Sequence, residues 1–195
     1  DFQAAREHAL QLAGERGAHM VPSYHPALVR GVASYWWEFL RAVPHMDWAY
    51  VPIGLGSGAC AAVAAKRALG HGVRLVGVVS SGALTYAESF AAGRVVESPV
   101  STQLADGMAV RLADPDALAI LRDELDHLVQ VTDEEVAAAM RALFTDTHNV
   151  AEGAGAAALA GALQEKDMLH GQCVGLALTG GNVDAAMFAR VLGAL

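Results

Sequence analysis

The chain is short of several things, and each shortage excludes something. Lysine is nearly missing, with only Lys66 and Lys166 among 195 residues. Charged residues make up 17% of the chain, no block of like charge occurs, and the formal net charge is −8. Such a chain offers little to a nucleic-acid backbone or an anionic membrane surface. Cysteine is confined to Cys60 and Cys173, without CxxC spacing. That argues against a disulfide framework and fits reduced core thiols in a cytosolic protein, with no secretory leader. Long apolar runs are also missing. The longest uncharged stretch, Trp48 to Ala65, is broken by Pro52, Gly54, Gly56 and Gly58, so it reads as strand, turn and helix start and not as a membrane span. There is no GxSxG elbow, no HExxH helix, and no Lys-Ser or Lys-Thr after the glycines to make a Walker A loop.

What is present is an apolar, folded α/β pattern. The hydrophobic fraction of 54% excludes a disordered chain, and the length suits one α/β unit over residues 1–195. Helical spacing runs from Phe2 to Gly17, with Ala5, Ala9, Leu12 and Ala13 on one face. A second helix reaches about Val43 with the stripe Leu28, Val32, Trp36, Phe39 and Val43, from which Trp37 departs. Strands are expected at Trp48–Ile53, Val73–Val79, Leu128–Val131 and Val174–Leu178. They have almost no polar alternation, as in a parallel sheet covered on both faces. Helices are expected at Ala59–Leu69, Thr85–Ala92, Pro115–Asp126, from Thr132 to about Phe144, at Ala151–Glu165, and at the C-terminus. Thr132 with Glu135 forms a capping box. Strands alternating with helices predict a mostly parallel sheet flanked by helices.

Two segments can carry chemistry. Val51-Pro52-Ile53-Gly54-Leu55-Gly56-Ser57-Gly58-Ala59 runs from a strand through three glycines into a helix. Glycine permits close backbone approach, the amides converge, and a helix N-terminus adds partial positive charge, so the segment reads as an anion site, the alternative being a tight strand–helix turn that binds nothing. No acidic residue occurs between Asp47 and Glu88, whereas Lys66, Arg67 and Arg74 do, which makes the neighbourhood locally basic. Gly54, Gly56 and Ala59 also satisfy GxGxxA, but the carboxylate a dinucleotide site needs at the end of the next strand is missing there. The second segment, Leu178-Thr179-Gly180-Gly181-Asn182, follows the last strand and offers a hydroxyl at Thr179 in the crevice where open α/β sheets bind ligands.

Together with His25-Pro26, Arg30-Gly31, Ser89-Phe90-Ala91-Ala92-Gly93, Ala105-Asp106-Gly107-Met108, Asp146-Thr147-His148-Asn149 and Ala151-Glu152-Gly153-Ala154-Gly155-Ala156, these segments resemble the C-terminal three-fifths of the serine/threonine dehydratases. These are pyridoxal 5'-phosphate enzymes of the fold type II group, with a tryptophan-synthase-β-like fold. The resemblance implies that Gly54, Leu55, Gly56, Ser57 and Gly58 form the cofactor's phosphate loop, with Leu55 and Ser57 standing where many relatives have glycine. It implies that Thr179 faces the pyridine nitrogen and that Glu152 lies near the ring. The implied reaction is loss of water from a hydroxy amino acid, giving a 2-oxo acid and ammonia.

The family's reaction needs a lysine that holds the cofactor and moves the α-proton. Lys66 and Lys166 read as ordinary solvated residues, and the family's lysine motif lies upstream of the region resembled. The sequence therefore reads as a fragment that supplies the phosphate and pyridine side of the site and is inactive alone. Its expected partners are an amino-acid substrate in the full-length enzyme and a second copy or the missing N-terminal half. Val79 and Thr85 stand where some relatives place cation ligands, so no metal is expected. The alternative is a non-catalytic module that self-associates, with a vestigial phosphate site and Trp37 on its contact face.

Overall fold

The computed structural model describes residues 2–193. Four strands, β1 (Trp48–Pro52), β2 (Arg74–Ser80), β3 (Leu125–Val131) and β4 (Val174–Leu176), form one sheet in the order β3-β2-β1-β4. All neighbours run parallel. β1 is buried at every position and β2 at all but Arg74, which explains why neither alternates.

Helices α2 (Pro26–Ala42), α3 (Ser57–Leu69), α4 (Thr85–Ala92) and α5 (Pro115–Glu124) lie with the core on one face. The core on the other face is built around α6 (Asp133–Thr147) and α7 (Gly153–Gln164). α7 consists mainly of alanine and glycine, so it settles closely on the sheet. A Cβ at Gly161 would stand 2.9 Å from a Val78 methyl carbon. The last helix, α8 (Ala185–Gly193), rests on α6, with the Phe144 and Phe188 rings edge to face at 5.4 Å. The capping box forms as the sequence predicts: the Glu135 amide donates to Thr132 Oγ1, and the Thr132 amide donates back to Glu135 Oε2.

Several expectations are revised. β3 begins at Leu125, because α5 stops at Glu124. β4 ends at Leu176 and is only half-buried at its ends, since it pairs with β1 alone. On α2, Trp36 is buried and Val32, Phe39 and Val43 pack against the core as the stripe predicts; Val29 and Leu40 join them, while Leu28 is exposed. α1 (Phe2–Arg16) forms, but Ala5 is exposed, and Ala9, Leu12 and Ala13 are only half-buried. Cys60 is buried as expected, whereas Cys173 is half-buried at the start of β4. Trp37 is 40% exposed, as its position off the stripe predicts.

The topology creates one special place. The chain steps from β1 to β2 to β3 in one direction, then returns so that β4 lies on the far side of β1. Connections leave the carboxyl ends of β1 and β4 toward opposite faces, which opens a crevice between them. Pro52 widens it. The Ile53 amide donates to Val78 of β2 at 2.8 Å, so alternation turns position 52 toward β4, where proline has no N–H to extend the ladder.

Candidate functional site

A cavity of about 350 Å³ occupies that crevice, and Gly54, Leu55, Gly56, Ser57, Gly58 and Thr179 all line it. Two sequence segments more than a hundred residues apart thus face the same hollow. At its floor, Gly56 N-caps α3 with φ 105°, a left-handed conformation that favours glycine. A Cβ there would also stand 2.7 Å from the Tyr86 hydroxyl and 2.8 Å from Ala117 Cβ. No side chain among the described residues caps α3. Among the described residues, the amides of Gly54 through Ala59 donate to no protein acceptor, and the first intrahelical bond is Cys60 to Gly56 O at 2.9 Å. These are the free donors of a helix N-terminus, turned toward a concave, solvent-reachable space.

The glycine loop is held from behind. Tyr86 donates its hydroxyl to Leu55 O at 2.7 Å, and burial pushes that phenol far above its ordinary value. It remains a neutral donor at any working pH. From α2, Val32 and Tyr35 form one wall, and Gly107 and Met108 of a 3-10 turn (Asp106–Met108) form another. Burial pushes the Tyr35 phenol up to about 12, so it too stays neutral. Asp106 serves the turn, its Oδ1 accepting from the Gly107 amide at 2.9 Å. A Cβ at Gly54 would fall on Gly107 O, so the 3-10 turn and the glycine loop touch backbone to backbone.

Among the described residues, no charged one lines the cavity. The expectation that Lys66, Arg67 and Arg74 create a basic surrounding is therefore corrected. Lys66 and Arg67 sit in the last turn of α3, paired with Glu124 at 3.8 and 2.7 Å. The Arg74 guanidinium lies 3.9 Å over the Trp48 ring, at the opposite end of the strands. Most of a helix, or a whole strand length, separates these charges from the glycines. What attraction the cavity has for an anion comes from main-chain dipoles and hydroxyls.

Glu152, which the resemblance places near the ring, does not itself line the cavity, although its Oε1 stands 3.9 Å from where a Cβ on the cavity-lining Gly107 would be. It N-caps α7 and binds the turn behind Thr179: Oε2 accepts from the Asn182 amide at 3.0 Å, and the Glu152 amide donates to Gly180 O at 3.1 Å. Of the cation positions considered from sequence, Val79 is buried, and Thr85 spends its hydroxyl on Val110 O at 2.6 Å. Neither lysine faces the cavity, and Lys166 is exposed beside the C-terminal end of α7. Tyr35, Tyr86 and Gly107 have roles in this site that sequence reasoning misses. Only Gly107 carries a signal, as part of the Ala-Asp-Gly-Met motif.

The cavity can test whether a phosphorylated, ring-bearing cofactor fits. Unpartnered amides at one end suit a phosphate, and a single hydroxyl across the hollow suits a ring nitrogen. Gly58 leaves open space, since a Cβ there would meet nothing within 4 Å. The residues present fit such a group.

Comparison with known proteins agrees. The chain is 36% identical over 195 residues to an L-threonine ammonia-lyase of Geobacter sulfurreducens, covering 98% of this chain and 48% of that protein. It is 32% identical over 183 residues to an L-threo-3-hydroxyaspartate ammonia-lyase of Saccharomyces cerevisiae, covering 93% and 56% respectively. The chain thus spans about half the length of the curated relatives it matches. Its fold is that of the processed form of threonine deaminase isoform 2 from Solanum lycopersicum, with a TM-score of 0.89 at 23% identity over 96% of this chain and 55% of that one. The model of the family described as "Pyridoxal-phosphate dependent enzyme" matches residues 1–180. With its parallel sheet, amide-lined crevice and fold type II neighbours, this chain belongs to the pyridoxal-phosphate dependent enzyme family.

Proposed function

We propose that this chain forms the phosphate- and ring-side wall of the cofactor site in a hydroxy-amino-acid ammonia-lyase of the threonine/serine dehydratase class. The observation that carries the reading is the cluster of unbonded amides at Gly54–Ala59 facing the Thr179 hydroxyl across one cavity. When bound, pyridoxal 5'-phosphate supplies the electron sink that lets a hydroxy amino acid lose its α-proton and β-hydroxyl, yielding a 2-oxo acid and ammonia. The chain's own residues bind and orient that group.

The amides of Leu55 through Gly58 hold the phosphate, helped by the α3 dipole and the Ser57 hydroxyl. The Thr179 hydroxyl makes one neutral hydrogen bond to the ring nitrogen. A hydroxyl does not hold a proton on that nitrogen as a carboxylate would, and this moderated environment suits elimination. Tyr86 fixes the loop carbonyl, and Val32 and Tyr35 wall the ring side against water. The α-proton is moved by an amine that this chain does not bring to the cavity, because Lys66 is engaged with Glu124 and Lys166 points elsewhere. The 195-residue chain is therefore inactive alone, and the substrate amino acid binds to the whole enzyme. Trp37, exposed on α2, marks a face that meets a second copy or further polypeptide.

Calorimetric titration of the 195-residue chain with pyridoxal 5'-phosphate and with inorganic phosphate tests this. The expected outcome is binding of both, mutual competition, and no release of 2-oxo acid from threonine or serine. Turnover by the isolated chain would sink the partial-site reading, and indifference to both anions would sink the cofactor reading in favour of a non-catalytic self-associating module.

A further inference from the structure

The turn carrying Thr179 is suspended in an unusual way. Residues 177–184 have no regular secondary structure, and Thr179, Gly181 and Asn182 are exposed. Among the described residues, two hydrogen bonds tie residues 179–182 to parts of the chain distant in sequence, and both end on Glu152. Its amide takes the Gly180 carbonyl, and its Oε2 takes the Asn182 amide. As N-cap of α7, Glu152 has the extended backbone of a capping residue, yet its side chain makes no bond to its own helix. It caps the neighbouring turn instead.

Space tells the same story. A Cβ on Gly180 would collide with the Glu152 carboxylate, one on Gly155 would collide with Gly180 O, and one on Gly181 would stand 2.6 Å from Val150 O. Gly180 is pressed between the carboxylate and the first turn of α7, and Gly181 sits against Val150 O. Yet Glu152 stays out of the cavity, whereas its spatial neighbours Gly107, Ala154 and Thr179 line it.

We infer that Glu152 is a positioning residue for the Thr179 hydroxyl: its carboxylate does not meet the ligand but locks the 179–182 turn onto α7 and so fixes where that hydroxyl stands in the cavity. This rests on the reading of Thr179 as the partner of the cofactor's ring nitrogen. A hydrogen bond from an amide to a carboxylate is among the stronger neutral-to-charged contacts, and losing it removes one of the two hydrogen bonds that tie the turn to distant parts of the chain.

The test uses the 195-residue chain as Glu152→Ala, Glu152→Gln, Thr179→Ala and the Glu152→Ala/Thr179→Ala double variant. Binding of pyridoxal 5'-phosphate should weaken about tenfold in Glu152→Ala and by a similar factor in Thr179→Ala, with no further loss in the double variant. Inorganic phosphate should bind all of them equally, because the amide cradle is untouched. Glu152→Gln keeps an acceptor oxygen for the Asn182 amide and should restore binding. Losses that multiply in the double variant would overturn the inference by placing Glu152 on the ligand. A parallel loss of phosphate binding would overturn it by showing general collapse.

A second measurement separates this inference from the site reading. Amide hydrogen exchange of Asn182 in the ligand-free chain should accelerate about tenfold or more in Glu152→Ala, with the change confined to residues 179–182, and return in Glu152→Gln. If the wild-type chain binds no pyridoxal 5'-phosphate, the site reading fails while a confined acceleration still upholds the anchoring role. Unchanged exchange in Glu152→Ala overturns it.

Discussion

The N-termini of α3 and α7 flank the same crevice from opposite faces of the sheet. α3 begins on a left-handed glycine, carries no side-chain cap, and presents free amides to an open hollow. α7 begins on Glu152, buries every residue from Gly153 to Ala158, and has the 179–182 turn pressed against its first turn. Both starts are rich in glycine, but for different reasons. At Gly58 the missing Cβ leaves room beside the amides, and at Gly155 it leaves room for Gly180 O. One helix end is shaped for a ligand and the other for a piece of protein that holds a ligand-facing hydroxyl.

The sharpest way to break that contrast is to add a methyl at each end. Gly155→Ala drives a Cβ into Gly180 O and should cost about 3 kcal/mol in urea denaturation, whereas Gly58→Ala should stay within about 0.5 kcal/mol of wild type. Equal costs would mean that the two ends are not different in kind. Next in size, Tyr86→Phe removes the hydroxyl that supports Leu55 O and should cost about 1 kcal/mol, with weaker phosphate binding as the loop loosens. A stability loss with unaltered binding would detach the loop's support from its purpose.

The far ends of the same helices sharpen the comparison further. α7 is followed by Glu165, which accepts from the Tyr50 hydroxyl and meets His127 Nε2 at 2.9 Å, while His127 Nδ1 meets Asp126 at 2.9 Å. Burial by itself lowers the His127 pKa, but the hydrogen bonds and charges of Asp126 and Glu165 outweigh it, and the net shift is upward from 6.5. A raised folded-state value means that the clasp contributes fully below 6.5 and is lost as pH climbs through the folded value. The stability difference between wild type and His127→Gln should therefore shrink as pH rises in that direction, and a difference that grows would reverse the assignment. The smallest effect belongs to α3: Arg67→Ala breaks an exposed pair with Glu124, should cost at most about 0.5 kcal/mol, and should leave phosphate affinity unchanged. A drop in affinity would return the helix's basic residues to the site from which their position removes them.

Much of the fold was legible along the chain because the signals are local. The uniformly apolar β1 and β2, the Thr132–Glu135 capping box and the start of α4 at Thr85 each depend on a few neighbouring residues, and each lies within a residue of where it is expected. The glycine loop was legible for the same reason. At the edge of the α2 stripe, Val29 is buried in place of Leu28, a choice between near-equal apolar neighbours that contact with α3 resolves. The charge reading of Lys66 and Arg67 failed because, at 1.5 Å per residue, they stand about 14 Å along α3 from its first residue. Tyr86 and Tyr35 left no local trace, since each matters only through a backbone atom or a cavity brought to it by the fold.

By itself the sequence determined which segments are strands and helices, that the strands lie in a covered parallel sheet, and that residues 54–58 form an uncapped, glycine-built helix start. These follow from periodicity and from what glycine and proline permit. The tertiary structure alone decided that β4 returns to the far side of β1, which brings Thr179 opposite those amides. It also decided that Glu152 grips the turn and does not line the hollow. The physical reason is range: propensity and capping act across a few residues, whereas a site at a switch point exists only once strands far apart in the chain lie side by side.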